Sequence, residues 1–235
     1  PVRVHTFTGQ VWMNSTGFFR FLYLRCDRVI GSMNTHCFVD SRSQLAFLRG
    51  NQIVRADRSS VIGCGSISGI SDTRFGCVND RVGLERLAPF AKINQKRNLT
   101  YVFLGRICAD KGISTLLAAF EIVLKGFREA AVQLPQLIIA GPVEDEKLGQ
   151  LLAEFNSNVV FLPGIHRPED ILEVGDIFCS ASHREGFGTT IIEAAFMGLP
   201  AIGSDIIGFR DSVVDGFTGL LFETGDALAM ANAMM

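Results

Sequence analysis

The sequence predicts an α/β protein built on parallel sheets, and three observations carry that prediction. From Leu99 onward, apolar runs alternate with segments of helical period. The runs are continuously apolar rather than alternating, as strands covered on both faces are. Glycines and charged residues recur just after these runs, at the carboxyl ends where open parallel sheets collect ligands.

The elements follow in order. Pro1 to Phe7 reads as a strand with a polar tip through Thr8, Gly9 and Gln10, so His5 and Thr8 are candidates for substrate contact or proton handling, against a purely structural role for the lone histidine. Phe18 to Met33 has amphipathic helical spacing and carries Arg20, Arg25 and Arg28. It is expected to pack on the sheet, the alternative being a basic face offered to lipid headgroups. Thr35 to Val39 is a short strand, and Asp40 or Ser41 would cap the helix that follows and ends at Gly50. Ser60 to Gly65 reads as a strand running into SISGIS, whose small residues, Ser68 among them, suit a chain that crosses between domains or lines a cleft. Residues from Thr73 to Arg97 are less regular and include Pro89 and a basic run. A domain linker is expected here, giving domains 1–90 and 91–235; the alternative is a long surface loop within one domain. Strands Leu99 to Gly105, Gln136 to Gly141, Val159 to Leu162, Asp176 to Ser180, Pro200 to Gly203 and Leu220 to Phe222 then alternate with helices 113–127, 144–155, 168–174, 190–197 and 209–214.

Composition narrows the function classes. An apolar fraction of 48% and a mean hydropathy of +0.28 suffice for a buried core. No run approaches the roughly 18 apolar residues of a membrane-spanning helix. The chain opens on PVRVHTF without a charged-then-apolar leader and reads as the inside of a domain. Its six cysteines, Cys26, Cys37, Cys64, Cys77, Cys108 and Cys179, are scattered without C-x-x-C or a nearby histidine pair. That pattern argues against zinc or disulfide frameworks and fits reduced thiols, with Cys37 and Cys179 in the core. The net charge of −2 conceals a split: residues 1–97 hold 14 Lys and Arg against 6 Asp and Glu, and the remainder 8 against 18. The basic half suits an anionic membrane surface, an acidic acceptor, nucleic acid, or simply solvent. Nucleic acid is disfavoured, because no stacking aromatics are interleaved with the arginines.

The stretch SASHREGFGTTIIEAAFMGLP, from Ser180 to Pro200, carries the clearest chemistry. A strand ends, Gly186 and Gly188 follow, and a helix opens near Thr189, so unpaired N–H groups and the positive helix end favour an anion such as phosphate. Glu185 and Glu193 bracket the turn, and ionised carboxylates there accept hydrogen bonds from a polyol. The pattern suggests a phosphate-linked sugar or nucleoside; an ordinary glycine turn with an exposed helical glutamate is the alternative reading. Arg106 and Lys111, in GRICADKG after another strand of the same sheet, offer a planar fork and a point charge suited to a diphosphate leaving group. Gly141 and Gly164-Ile165-His166 end two further strands, where backbone groups could meet a nucleobase.

GRICADKG, the pair Glu185 and Glu193 in EGFGTTIIEA, and GLPAIGSDIIGFRDSVVDGFTGLLF together resemble glycosyltransferase family 4, retaining enzymes of the GT-B fold. VHTFTGQVW and GSISGIS further resemble the bacterial subgroup that builds capsular polysaccharide, exopolysaccharide and O-antigen units. The resemblance implies two Rossmann-like domains with parallel sheets, the N-terminal one incomplete and the C-terminal one lacking its final helix. It implies transfer (EC 2.4) from a nucleotide-diphosphate sugar, with a UDP-sugar expected, to a saccharide or polyprenyl-linked acceptor, without metal or other cofactor. Arg106 and Lys111 would hold the diphosphate and Glu185 would act near the reacting carbon. Glu193 would bind ribose hydroxyls, Gly186, Phe187, Gly188 and Thr189 would lie against sugar and phosphate, and Ile165 against the base. His5, Thr8 and Ser68 are the acceptor-side candidates. Where the subgroup carries an acidic residue in the interdomain loop, this chain has Cys64 before GSISG and Ser71 after it, with Asp72 one place along. The implied setting is cytoplasmic, at the inner face of the membrane. An isolated fragment of this kind is expected to bind nucleotide weakly and turn over little. A sugar-nucleotide epimerase of the same fold, or a non-catalytic sugar-nucleotide module, is the competing reading.

Overall fold

The structure is a computed structural model describing residues 1–13, 15–75, 98–164 and 167–235. Most of the expected linker, together with Ile165 and His166, lies outside the described residues. Contacts divide the chain into two units, one of Pro1–Gly69, His183–Thr189 and Asp205–Ser212, the other of Ile70–Ser182, Thr190–Ser204 and Val213–Met235.

The first unit is built on three parallel strands in the order β1 (Val4–Phe7), β2 (His36–Val39), β3 (Ser59–Val61). Its core comprises Phe7, Trp12, Cys37, Val39, Leu48, Ile53 and Val54. Trp12 stacks on Phe47 at 5.3 Å and donates its indole N–H to Asp27 Oδ2 at 2.7 Å, so a large ring is buried with its polar atom satisfied. Helix α1 (Gly17–Met33) packs on this core only through a stripe that includes Leu24 and Ile30. None of its residues is fully buried, and Phe18, Phe19, Leu22, Tyr23, Val29 and Met33 are exposed. Packing on the sheet therefore accounts for one face of the helix and leaves a second apolar face in solvent. Helix α2 (Arg42–Gly50) is capped by Ser41, whose Oγ accepts the Gln44 N–H at 3.2 Å; of the two cap candidates the serine is used. The third strand is shorter than its apolar run. Gly63, Gly65 and Ser66 adopt φ of 58°, 117° and 58°, which turns the chain out of the sheet beyond Val61.

The second unit is a six-stranded parallel sheet ordered β6 (Val159–Pro163), β5 (Gln136–Gly141), β4 (Thr100–Leu104), β7 (Ile177–Ser180), β8 (Ala201–Ser204), β9 (Gly219–Phe222). This is the doubly wound Rossmann order, and the direction of winding reverses between β4 and β7. Every residue of β4, β5 and β8 is buried, the physical reason their runs are continuously apolar. Helix α4 (Ile113–Glu129) follows the four-residue helix α3 (Asp72–Phe75) among the described helices; its Leu116, Phe120, Val123 and Leu124 join Tyr101, Phe103 and Ile139 in the core. Cys179 lies at the centre of the same core, where burial pushes its thiol pKa up.

In the second unit and beside it, three further elements differ from the sequence expectation. Helix α5 (Glu146–Ala153) starts later than Glu144, because Asp145 caps it by accepting the Lys147 N–H at 3.0 Å, while the Glu144 and Asp145 N–H groups donate to the Ile107 carbonyl. After α6 (Pro168–Glu173) and α7 (Thr189–Phe196), residues Phe209–Asp211 form a single 3-10 turn rather than a helix to Val214. Helix α8 (Ala227–Met234), which the sequence pattern had not flagged, is capped by Asp226 through the Ala229 N–H at 2.9 Å. It packs on α4, and the Tyr101 hydroxyl donates to the Met234 carbonyl. No described helix is long and apolar enough to cross a membrane.

Candidate active site

In the second unit, the switch point of the sheet gathers the loop after β4 and the end of β7. Gly112, at φ 64°, lets the two meet: a Cβ there would lie 2.7 Å from the Ala181 carbonyl carbon and closer still to its oxygen. The approach is possible only without a side chain. Arg106 leaves the carboxyl end of β4, and Lys111 closes the 3-10 turn Ala109–Lys111 that enters α4. The Arg106 guanidinium donates to Glu144 Oε2 at 2.7 Å, both side chains being about half exposed. Glu144 follows β5, so this pair also stands on the carboxyl edge of the sheet.

Glu193, one turn into α7, is half-buried. Burial raises its pKa; nearby Arg74 pulls it down and Glu169 pushes it up. Arg74 donates from Nε to Glu169 Oε2 at 2.9 Å, and Arg167 reaches both Glu169 (3.3 Å) and Asp170 (3.1 Å). Glu193 therefore faces an arginine-carboxylate cluster that the linear spacing does not disclose. Among the described residues no group of three or more His, Cys, Asp or Glu is placed to hold a metal ion.

In the first unit, the loop from His183 to Thr189 is threaded among other loops. A Cβ on Gly9 would lie 3.3 Å from Gly186 N, and one on Gly65 would strike the buried ring of Phe187 at 2.5 Å. Phe187 thus contributes an anchoring ring as well as backbone. A Cβ on Gly188, whose φ is 82°, would meet the ring of Phe209 at 2.7 Å. Thr189 Oγ1 lies 3.4 Å from Ser66 Oγ. The 205–212 segment is tied to α2 by the Ser43 N–H donating to Asp211 Oδ2 at 2.8 Å, and Arg210 grips Asp205 through two hydrogen bonds of 2.6 and 3.1 Å. His5 sits within β1, edge-on to the Phe7 ring at 4.6 Å; Thr8 and Ser68 are exposed in loops. Ile165 lies outside the described residues.

The candidates fall into two sets: Arg106, Lys111 and Glu193 in the second unit, and Glu185, Gly186, Phe187, Gly188, Thr189, His5, Thr8 and Ser68 in the first. Four residues were given no role at the site by the sequence, among them Asp40, which stands against Gly186. Arg74 and Glu169 carry no local signal, being 95 residues apart. Glu144 follows an apolar run and was readable as a strand-end residue. Asp40 was readable as the second of two adjacent cap residues, of which a helix needs one.

By architecture the second unit belongs to the doubly wound α/β proteins, with a cationic, glycine-lined edge at its switch point. Residues 98–235 match the family described as Glycosyl transferases group 1, and the chain belongs to that family. Capsular polysaccharide biosynthesis glycosyltransferase CapM of Staphylococcus aureus is 29% identical over 238 residues, covering 98% of this chain and 59% of that protein. Phosphatidyl-myo-inositol mannosyltransferase of Mycobacterium leprae is 31% identical over 140 residues, covering 58% of this chain and 36% of that protein. The chain thus spans less than two thirds of the length of these relatives. Among solved structures, Anabaena Alr3699/HepE in complex with UDP-glucose superposes with a TM-score of 0.75 at 20% identity, over 97% of this chain and 60% of that one. A glycosyltransferase from Rickettsia africae gives 0.76 at 18% identity, over 98% and 59%. The fold is accordingly α/β of the GT-B type.

Proposed function

We propose that the protein carrying this chain transfers a sugar from a nucleotide-diphosphate sugar, with a UDP-sugar as the expected donor, to a saccharide or lipid-linked saccharide. The observation that carries the reading is the switch point of the second unit's sheet, where Arg106 follows the carboxyl end of β4 and Lys111 closes the turn whose Gly112 packs against Ala181 at the end of β7. A diphosphate leaving group gains negative charge as its bond to the sugar breaks, and fixed cations and helix N–H groups stabilise that charge without a metal. Glu185 acts near the anomeric carbon, Glu193 receives ribose hydroxyls, and Ile165 meets the base. Gly186, Phe187, Gly188 and Thr189 lie along sugar and phosphate; His5, Thr8 and Ser68 face the acceptor. Family membership supports transfer chemistry. The bound UDP-glucose of Alr3699/HepE supports the donor class, and the likeness to CapM supports surface-polysaccharide synthesis; transfer with retention rests on the resemblance of the E-x7-E stretch to family 4. The boundary between acceptor and donor domains is placed at residue 90/91.

The test is to incubate the full-length protein with a panel of UDP- and GDP-sugars and lipid-linked or free saccharide acceptors. Acceptor-dependent nucleotide release is expected from one donor, at a rate unchanged by a chelator and with the anomeric configuration retained. Acceptor-independent interconversion of sugars would instead identify an epimerase, and binding without turnover a sensor.

The same reading places the protein at the cytoplasmic face of the membrane. The exposed Phe18, Phe19 and Leu22 of α1, interleaved with exposed Arg20 and Arg25, suit an anionic lipid surface. Sedimentation with phosphatidylglycerol vesicles is expected at low ionic strength and is expected to weaken with salt. Absence of binding at low salt overturns the membrane assignment.

A further inference from the structure

Ser41 caps α2, so Asp40 beside it is available for another task. Its main chain joins two loops: its N–H donates to the Phe7 carbonyl at 3.2 Å and its carbonyl accepts the Ser66 N–H at 2.8 Å. Its side chain is half-buried and accepts the Ile67 N–H; burial raises its pKa and that hydrogen bond lowers it. The carboxylate stands directly against Gly186. A Cβ at that glycine would lie 2.5 Å from Asp40 Oδ2, 3.4 Å from its Cγ, and 3.0 Å from the Gly9 N. The same peptide is touched by Gly208, where a Cβ would lie 2.6 Å from the Glu185 carbonyl oxygen and 3.0 Å from the Gly186 carbonyl carbon. Gly186 has no φ in the left-handed region, so this glycine is required by proximity to Asp40 and Gly9, not by its dihedral.

We infer that Asp40 is a positioning residue: its carboxylate fixes the Glu185–Gly186 peptide, and through it the direction in which Glu185 is presented to the donor sugar. The inference rests on the transferase reading of Glu185 and adds a residue that the E-x7-E spacing does not contain. A half-buried carboxylate is retained where its oxygens have defined neighbours. Here those neighbours are the Ile67 N–H and a peptide whose side-chain position has been left empty.

The consequence is kinetic rather than one of donor affinity, since the role assigned to Asp40 is to hold the loop that presents Glu185. In the full-length protein, Asp40→Ala is expected to lower kcat about 10- to 100-fold, as small misplacements of a reacting group do, with KM for the nucleotide sugar nearly unchanged. Asp40→Asn keeps the shape and one acceptor oxygen and is expected to recover part of the loss. Gly186→Ala alone is expected to be impaired, because its methyl strikes Oδ2 and presses on Gly9 N; in the Asp40→Ala background only the Gly9 approach remains and the same change is expected to cost less. Wild-type kcat in Asp40→Ala overturns the proposal, as does a loss wholly in KM, or strictly multiplicative effects of the two substitutions. If the unsubstituted protein releases nucleotide from no donor, the transferase reading itself fails. The cycle is then read from thermal unfolding: coupling between positions 40 and 186 retains the contact, and additivity removes it.

Discussion

Arg106→Ala and Lys111→Ala are each expected to lower kcat for sugar transfer by about 10²- to 10³-fold, the usual cost of removing one preorganised charge from a site of developing negative charge. Fold stability is expected to be nearly unaffected by the first. Its ion pair with Glu144, at side-chain exposures of 53% and 45%, contributes little in water. That weakness suits a site that must exchange partners: a diphosphate carries more charge than one carboxylate and matches the guanidinium fork in two places. Glu144→Gln is accordingly expected to preserve turnover, whereas Arg106→Lys is expected to recover only part of it, because an ammonium offers a point charge where a planar fork is needed. Nucleotide release by the full-length variants, with UDP binding to the same proteins by calorimetry, measures both. Donor binding and turnover unchanged in both alanine variants would remove the diphosphate assignment.

The parts of the fold that were legible in the sequence are those where a single physical demand acts on consecutive residues. Strands β4, β5 and β8 are buried on both faces, so their composition alone marks them. The end of β3 was not legible, since Ile62 continues the apolar run and only the positive φ at Gly63 shows where the chain leaves the sheet. Helix α8 was missed for the opposite reason: its alanine-rich segment has weak amphipathic contrast, although Asp226 offers a readable cap. At the site, the glycines and carboxylates of the 185–193 stretch are local and could be read directly. The surroundings of those residues could not. Glu193 meets Arg74 and Glu169, and Phe187 meets Gly65, across separations that spacing does not encode. The cap pair Asp40 and Ser41 lies between these cases, because local rules show that one of the two is surplus without showing where its carboxylate goes.

Gly112→Ala is expected to be strongly destabilising at the edge of the second sheet. Two costs combine there. An alanine at φ 64° carries backbone strain of about 1–3 kcal/mol. Its Cβ would also be driven into the Ala181 peptide, which is backbone and cannot rotate away, adding about 1–3 kcal/mol of overpacking. The sum, roughly 2–6 kcal/mol, corresponds to a fall in Tm of about 2–4 °C for each kcal/mol in a domain of this size. Gly198→Ala separates the two costs: its φ of 87° imposes comparable strain, yet nothing lies within 4 Å of the added carbon. Thermal unfolding of both variants is expected to show the larger drop for Gly112→Ala, with the difference reporting the clash alone. Equal drops would mean that the β4 loop does not press on β7 at this point. The effect also reaches the chemistry, because Gly112 is the residue after Lys111 and its close approach sets where that ammonium stands on the carboxyl edge. Any Gly112→Ala protein that remains folded is therefore expected to bind UDP more weakly, while Gly198→Ala retains full affinity.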